Sequence, residues 1–281
     1  MKRLIITADD YGMSLGVNEA IDAGIEAGII TSTNVMTNMP FYKEAQKLRN
    51  NADVSLGIHW TLSCGEPVLN KESIPSLIAE DGQFYSYPEF RSRYRKRLIA
   101  NEDIKRELVA QYNRFVESCG EPDYWNTHQN VHVDFHIYQL FVSVAKELGI
   151  LKMRSHQRIY VPRSGNDAKQ PFLWRLMEPA KSALLNAWQG KAHKQGIKSP
   201  EGLIVCLNNT DVDRLEYLFS HIQWSNHEIG EYVIHPATTC DSPYFGKIID
   251  HRMAEYKMFS NRDTKRLIEE NGIQICNFSI L

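Results

Sequence analysis

Two adjacent carboxylates, Asp9 and Asp10, and three well-separated histidines, His59, His128 and His235, are the residues here whose types and placement could do chemistry. Each follows an apolar or β-prone run: Leu4 to Ala8 before the acids, Ser55 to Ile58 before His59, Tyr124 to Thr127 before His128, and Tyr232 to Ile234 before His235. Two carboxylates about 5 Å apart repel by roughly 3 kcal/mol at an effective dielectric near 20. A cation or a shared proton removes that cost. Side chains alternate along a strand, so both acids can face one cavity only if the backbone turns at Asp10, and Gly12 eases such a turn. One carboxylate with two imidazoles suits a divalent cation that must keep positions open for water and substrate. Asp10, His59 and His128 are the expected ligands. With zinc, the pKa of a coordinated water falls towards about 7. Asp9, off the metal, is then the expected general base, and His235 the general acid that protonates a departing amine. Taken singly, each residue has a plainer role, as a helix cap or a satisfied core histidine; it is the coincidence at four strand ends that points to a site.

The elements that must position these residues alternate. After the opening strand, Ser14 caps a helix to about Ala27, stopped by Gly28. A second strand is expected over Ile29 to Met39, a helix over Phe41 to Asn50 and a third strand over Val54 to Leu62. Ser63 to Tyr87 is an irregular excursion over the mouth, and Asn101 to Ser118 an amphipathic helix. A fourth strand follows at Tyr124 to His128, a helix at Ile137 to Leu148 and a short fifth strand at Leu151 to Arg154. From Ser155 to about Pro200 an insertion carries a helical piece, Phe172 to Trp188. Strands at Gly202 to Leu207, Gly230 to His235 and Ile273 to Phe278 alternate with helices at Val212 to Gln223 and Asp250 to Asn271. Such repeated βα units predict one α/β domain over residues 1–281, a distorted or incomplete (β/α) TIM-like barrel with chemistry at the carboxyl ends of its strands.

A length of 281 residues with 43% hydrophobic content supports one large core. A net charge of −2 and the lack of a long basic run argue against nucleic acid or an anionic membrane as a partner. The five cysteines are scattered without metal-type spacing, which suits reduced thiols and a cytoplasmic location. No signal-peptide core or transmembrane-length run is expected.

The sequence resembles the YdjC-like carbohydrate deacetylases, which include chitooligosaccharide deacetylases. The resemblance rests on Ala8-Asp9-Asp10-Tyr11-Gly12, close to that family's Ala-Asp-Asp-Phe-Gly signature, and on Thr31-Ser32-Thr33 and Gly57-Ile58-His59-Trp60-Thr61-Leu62. Thr127-His128-Gln129-Asn130-Val131-His132 and Ile234-His235-Pro236 follow in the same order. It implies a divalent metal, Mg²⁺ or Zn²⁺ with Co²⁺ next, removal of acetyl groups from small N-acetylated carbohydrates, and a homodimer. Residue by residue it supports Asp10, His59 and His128 as ligands, Asp9 as base and His235 as a catalytic histidine. It departs at Asn126, where the family usually carries Asp; that change bears on the orientation of His128, the metal preferred or the substrate.

Tyr11, Trp60, Trp125, Tyr244 and Phe245 lie beside the motifs as candidate sugar contacts, with barrel core as their other role. His132 is a fourth ligand, a partner behind the ligands or a substrate contact, with the last two ranked first, and Arg154 either holds a substrate oxygen or, the preferred reading, pairs with Asp9 and orients it. His136, His156, His193, His221, His227 and His251 read as structural or exposed. Two other functions fit the same residues: another metal-dependent hydrolase, acting on a phosphoester or cyclic amide, and a catalytically silent sugar-binding protein.

Overall fold

Leu4, Ile5, Ile6 and Ala8 are fully buried, and the strand they form is the axis of the sheet. This strand, β1 (Lys2–Tyr11), is followed by α1 (Leu15–Glu26), β2 (Ser32–Val35), β3 (Ser55–Trp60), α2 (Tyr87–Arg95), α3 (Asn101–Cys119), β4 (Tyr124–Thr127) and α4 (Tyr138–Glu147). The second half contributes β5 (Arg158–Val161), α5 (Phe172–Lys194), β6 (Gly202–Cys206), α6 (Leu215–Ser220), β7 (Ile229–Ile234), α7 (Ile249–Phe259), α8 (Arg262–Glu270) and β8 (Ile273–Cys276). The computed structural model describes residues 1–134, 137–162, 172–206, 215–239, 242–245 and 249–281. Its strands run in the order β4-β3-β2-β1-β7-β6-β5, with β8 also paired to β1, and every pairing is parallel. The sheet curls into the expected incomplete α/β barrel. Among the described residues, isolated bridges at Trp125–Met153 and Lys152–Lys198 lie on the side of the sheet between β4 and β5.

Several boundaries differ from the sequence reading for local reasons. The second strand is short, and Tyr42–Leu48 is 3₁₀ rather than α-helical. Leu151 to Arg154 contributes isolated bridges, whereas the stretch read as an insertion supplies the regular strand β5, paired with β6. The long helix expected over Asp250 to Asn271 is two helices, because the Asn261 side chain caps the second by accepting the Asp263 N–H. His136, Cys240 and the start of the helix expected from Val212 lie outside the described residues.

Two local features set the site. The register of β1 against β2 slips between Ala8–Thr33 and Tyr11–Val35, so β1 carries one extra residue there. Asp10 absorbs it with φ of 74°, a left-handed conformation that Asp tolerates better than most residues. The turn required for both acids to share one cavity is therefore made at Asp10 itself. Gly57 is the second feature. A Cβ there would lie 2.5 Å from the Tyr124 ring and 2.6 Å from Asn34 Oδ1, so glycine is what admits Asn34 to the barrel interior. Gly57→Ala is expected to lower stability by about 1–3 kcal/mol through overpacking, read as a fall in Tm.

Helix α3 fixes the exit of β3 with its buried polar side chains. Gln111 accepts the Thr61 N–H at 2.9 Å and donates to the Thr61 carbonyl at 2.7 Å. Glu107 accepts the Val68 and Leu69 N–H groups, pinning the excursion that follows. Burial raises the Glu107 carboxyl above its ordinary range despite these bonds.

Candidate active site

Asp10 Oδ1 lies 3.4 Å from His59 Nε2 and 3.1 Å from His128 Nδ1, and all three side chains are buried. The three donor atoms fall within 4.8 Å of one another. Ligands about 2.0–2.2 Å from a shared ion stand roughly 2.9–3.5 Å apart in octahedral or tetrahedral sites, so these spacings suit one divalent cation. Hydrogen bonding sets the ring that matters most. His59 is the cross-strand neighbour of Asn126, and its Nδ1 meets Asn126 Oδ1. The amide nitrogen of Asn126 donates to Asp9 Oδ1 at 3.4 Å, and a carboxylate can only accept, so the amide orientation is fixed. His59 Nδ1 must then donate to Asn126, and Nε2 is the nitrogen turned towards Asp10. The departure at Asn126 was expected to bear on His128; the contact found is with His59. His128 also bonds Cys64. Burial lowers its basicity, but Cys64 and the Asp10 carboxylate lift it to about 10 in the metal-free chain.

Asp9 is held from several sides. Arg154 donates from Nη1 to Oδ2 at 2.8 Å and from Nη2 to Oδ1 at 2.6 Å, and Asn34 adds a hydrogen bond to Oδ1. Burial opposes ionisation, yet the Arg154 charge and hydrogen bonds outweigh it and hold the carboxyl well below its ordinary range. Arg154 also donates from Nε to Glu231 Oε1 at 3.0 Å, so its guanidinium is shared between two buried carboxylates, Asp9 and Glu231. His235 Nε2 stands 3.7 Å from Asp9 Oδ2, with its side chain about 35% exposed. Burial of the ring and the charges of Arg252 and Arg154 depress its basicity against the pull of Asp10 and Asp9.

Four partners were not legible from the sequence. Arg252 on α7 donates to Asp10 Oδ2 at 2.5 Å, and Glu255 accepts the His235 backbone N–H at 2.7 Å. Glu231 on β7 and Asn34 on β2 support Arg154 and Asp9. Burial holds Asp10 up, but Arg252 and the two imidazoles bring it well below the usual carboxylate range. Each acid thus has its own guanidinium. The repulsion of the pair is met by Arg154 and Arg252, and the case for a metal rests on the imidazoles instead.

The other sequence candidates divide by exposure. Tyr11 is fully buried, its hydroxyl 3.2 Å from Asp22, and Trp60 is fully buried with Nε1 donating to the Leu108 carbonyl. Trp125 packs on Trp60 and Phe141. These rings belong to the core face of their strands. His132 is buried too: Nδ1 bonds Thr127 and Nε2 bonds His156 at 2.9 Å. Gln129 and Asn130 adopt φ of 54° and 51°, so the chain turns after His128 and leaves His132 outside the Asp10, His59 and His128 cluster. Burial pulls both His132 and His156 down, the latter to about 3, which keeps the pair neutral. Tyr244 is only partly buried and lies near Cys64, while Phe245 is covered by the Arg252 guanidinium at 4.7 Å. Of these five aromatics, Tyr244 alone keeps part of its ring exposed.

No described helix is long and apolar enough to cross a membrane. The chain is 27% identical over 283 residues to a carbohydrate deacetylase of Brevibacillus brevis, covering 99% of each. It is 34% identical over 149 residues to a chitooligosaccharide deacetylase of Klebsiella pneumoniae, covering 52% of this chain and 57% of that one. A crystal structure from Enterococcus faecalis V583, provisionally described as a cellobiose-phosphate cleavage protein, superposes with a TM-score of 0.77 at 22% identity, covering 99% of this chain and 98% of that one. The profile of the YdjC-like proteins matches residues 3–270, from the strand bearing both acids to the end of α8. Every residue of the site lies within that span, and the chain belongs to the YdjC-like family.

Proposed function

We propose that this protein is a metal-dependent deacetylase that removes acetyl groups from small N-acetylated carbohydrates. The observation that carries the reading is the convergence of Asp10, His59 and His128 on one point, with a separate ionised carboxylate, Asp9, facing a part-exposed histidine. The deacetylase names of the full-length relatives support it. Asp10, His59 and His128 would hold a divalent cation, which would supply an activated water and polarise the acetyl carbonyl.

The chain's own residues handle the protons. Asp9 Oδ1 is occupied by Arg154, Asn34 and Asn126, whereas Oδ2 accepts from Arg154 alone among the hydrogen bonds described and faces His235. Oδ2 is thus the oxygen that takes the proton from water as its oxygen bonds to the acetyl carbon. His235 Nε2, 3.7 Å from Oδ2, is in reach to receive the proton in turn. His235 then delivers the proton to the amine nitrogen as the C–N bond breaks, releasing acetate and the free amino sugar. Tyr244, beside the histidine loop, offers a ring face to the sugar.

The test is acetate release from a panel of N-acetylated mono- and disaccharides. Release should stop with a chelator and return with a divalent cation. Protein that carries a stoichiometric ion by elemental analysis, yet frees no acetate from any member of the panel, would refute the reading. The proposal includes magnesium or zinc as the ion, a homodimer and a cytoplasmic location, which elemental analysis, sedimentation and fractionation check.

A further inference from the structure

Helix α7 lies outside every motif singled out in the sequence, yet it grips both halves of the site. Arg252 is buried, and its Nη2 donates to Asp10 Oδ2 at 2.5 Å. The same guanidinium reaches the His235 carbonyl through Nη1 at 3.4 Å. One turn further on, Glu255 accepts the His235 N–H at 2.7 Å. The Arg252 carbonyl in turn accepts the Ala237 N–H at 3.1 Å. Both peptide groups that flank the His235 side chain are therefore fixed by two side chains at i and i+3 of one helix. Phe245 closes the outer side of the guanidinium at 4.7 Å.

The consequence is a mechanical link. Asp10 Oδ1 points at the imidazoles and Oδ2 at Arg252, so any change in the Asp10 carboxylate is felt by the group that holds the His235 carbonyl. A guanidinium does this with a planar fork, which an ammonium cannot reproduce. We infer that Arg252 is a positioning residue that ties the metal-ligating carboxylate to the catalytic histidine, so that filling the ion site and ordering His235 are one event. This rests on the deacetylase reading for the roles of Asp10 and His235, but its main readouts need no turnover.

Amide hydrogen exchange across residues 232–239 is measured on the whole chain without ion and with saturating Zn²⁺ or Mg²⁺, alongside calorimetric titration of each ion. In the wild type the ion should slow exchange of this segment several-fold. In Arg252→Lys that slowing should vanish, and the dissociation constant should rise about 10–100-fold, as for other partners that orient a ligand. At saturating ion, kcat of this variant should stay at least about tenfold low, with KM little changed. Glu255→Ala should leave the ion's affinity within about threefold while still lowering kcat, since the hydrogen bond described for it is to the His235 N–H and not to a ligand. Arg252→Gln, checked for native circular dichroism, serves if the lysine variant does not fold.

An Arg252→Lys protein with wild-type affinity and a wild-type exchange response overturns the inference. So does full recovery of kcat with excess ion, which would make Arg252 a partner of Asp10 alone. A wild type that binds the ion and shows the exchange response, yet releases no acetate, would overturn the deacetylase reading and leave the link standing.

Discussion

Asp9→Asn is expected to keep its ion and lose about 10²–10⁴-fold in kcat, the usual contribution of a positioned base. Asparagine keeps the size of the side chain but has no lone pair basic enough to take a proton from water. Asp10, His59 and His128 keep their donor atoms, and an amide oxygen in the Oδ1 place still accepts from Asn126, whose own oxygen holds His59. Arg154 is not stranded by the change. Glu231 already accepts from its Nε at 3.0 Å, and with Asp9 neutral this glutamate becomes the sole carboxylate partner described for the guanidinium. Breaking a buried pair outright costs about 3–5 kcal/mol, so a loss of stability below that range is expected, read as a lower Tm. Stopped acetate release together with unchanged calorimetric binding is the signature. A variant that turns over at the wild-type rate would remove Asp9 from the chemistry.

His59→Ala should abolish ion binding, and turnover with it. Removing the ring deletes one of three donors and leaves Asn126 Oδ1 facing a void. The loss should exceed the roughly 10–100-fold that removal of an orienting partner costs. Asn126→Ala supplies that smaller value for comparison, since it removes the group that fixes the His59 proton without touching the ion. Titrating both variants with the ion found in the wild type gives the ordering: wild type tightest, Asn126→Ala intermediate, His59→Ala beyond detection. Equal affinities across the three would show that the ion, if any, sits elsewhere.

The alternation of strands and helices, and the appearance of Asp9, Asp10, His59, His128 and His235 at strand ends, could be read directly, because apolar periodicity and turn residues are local signals. Trp60, Trp125 and Tyr11 take the barrel-core role that stood beside the sugar-contact one, and the same signal says why. Each is the immediate neighbour of an inward-facing residue, and strand alternation turns it to the other face, towards Leu108, Phe141 and Asp22. Arg252 and Glu255 were beyond reach for a different reason. On a helix with charges all round, nothing distinguishes the two side chains that point inward until β7 is placed against it. Asn34 depended on Gly57, since only the missing Cβ of a neighbouring strand opens the space it occupies. The end of β4 was similarly hidden: Gln129 and Asn130 both accept left-handed backbone, which made the spacing of His128 and His132 look more regular than it is.

The backbone of Asp10 acts as a stereochemical filter on its own position. Left-handed geometry costs most L-residues about 1–2 kcal/mol, with glycine, asparagine and aspartate spared. Alanine here would remove an oxygen donor and distort the main chain at once, so a dead alanine variant would confound two causes. Asparagine preserves the conformation while removing the charge, and glycine preserves it while removing the side chain altogether. Comparing both with alanine separates what the anion does from what the bend does, and makes this codon one where the tolerated alphabet is set by chirality before chemistry.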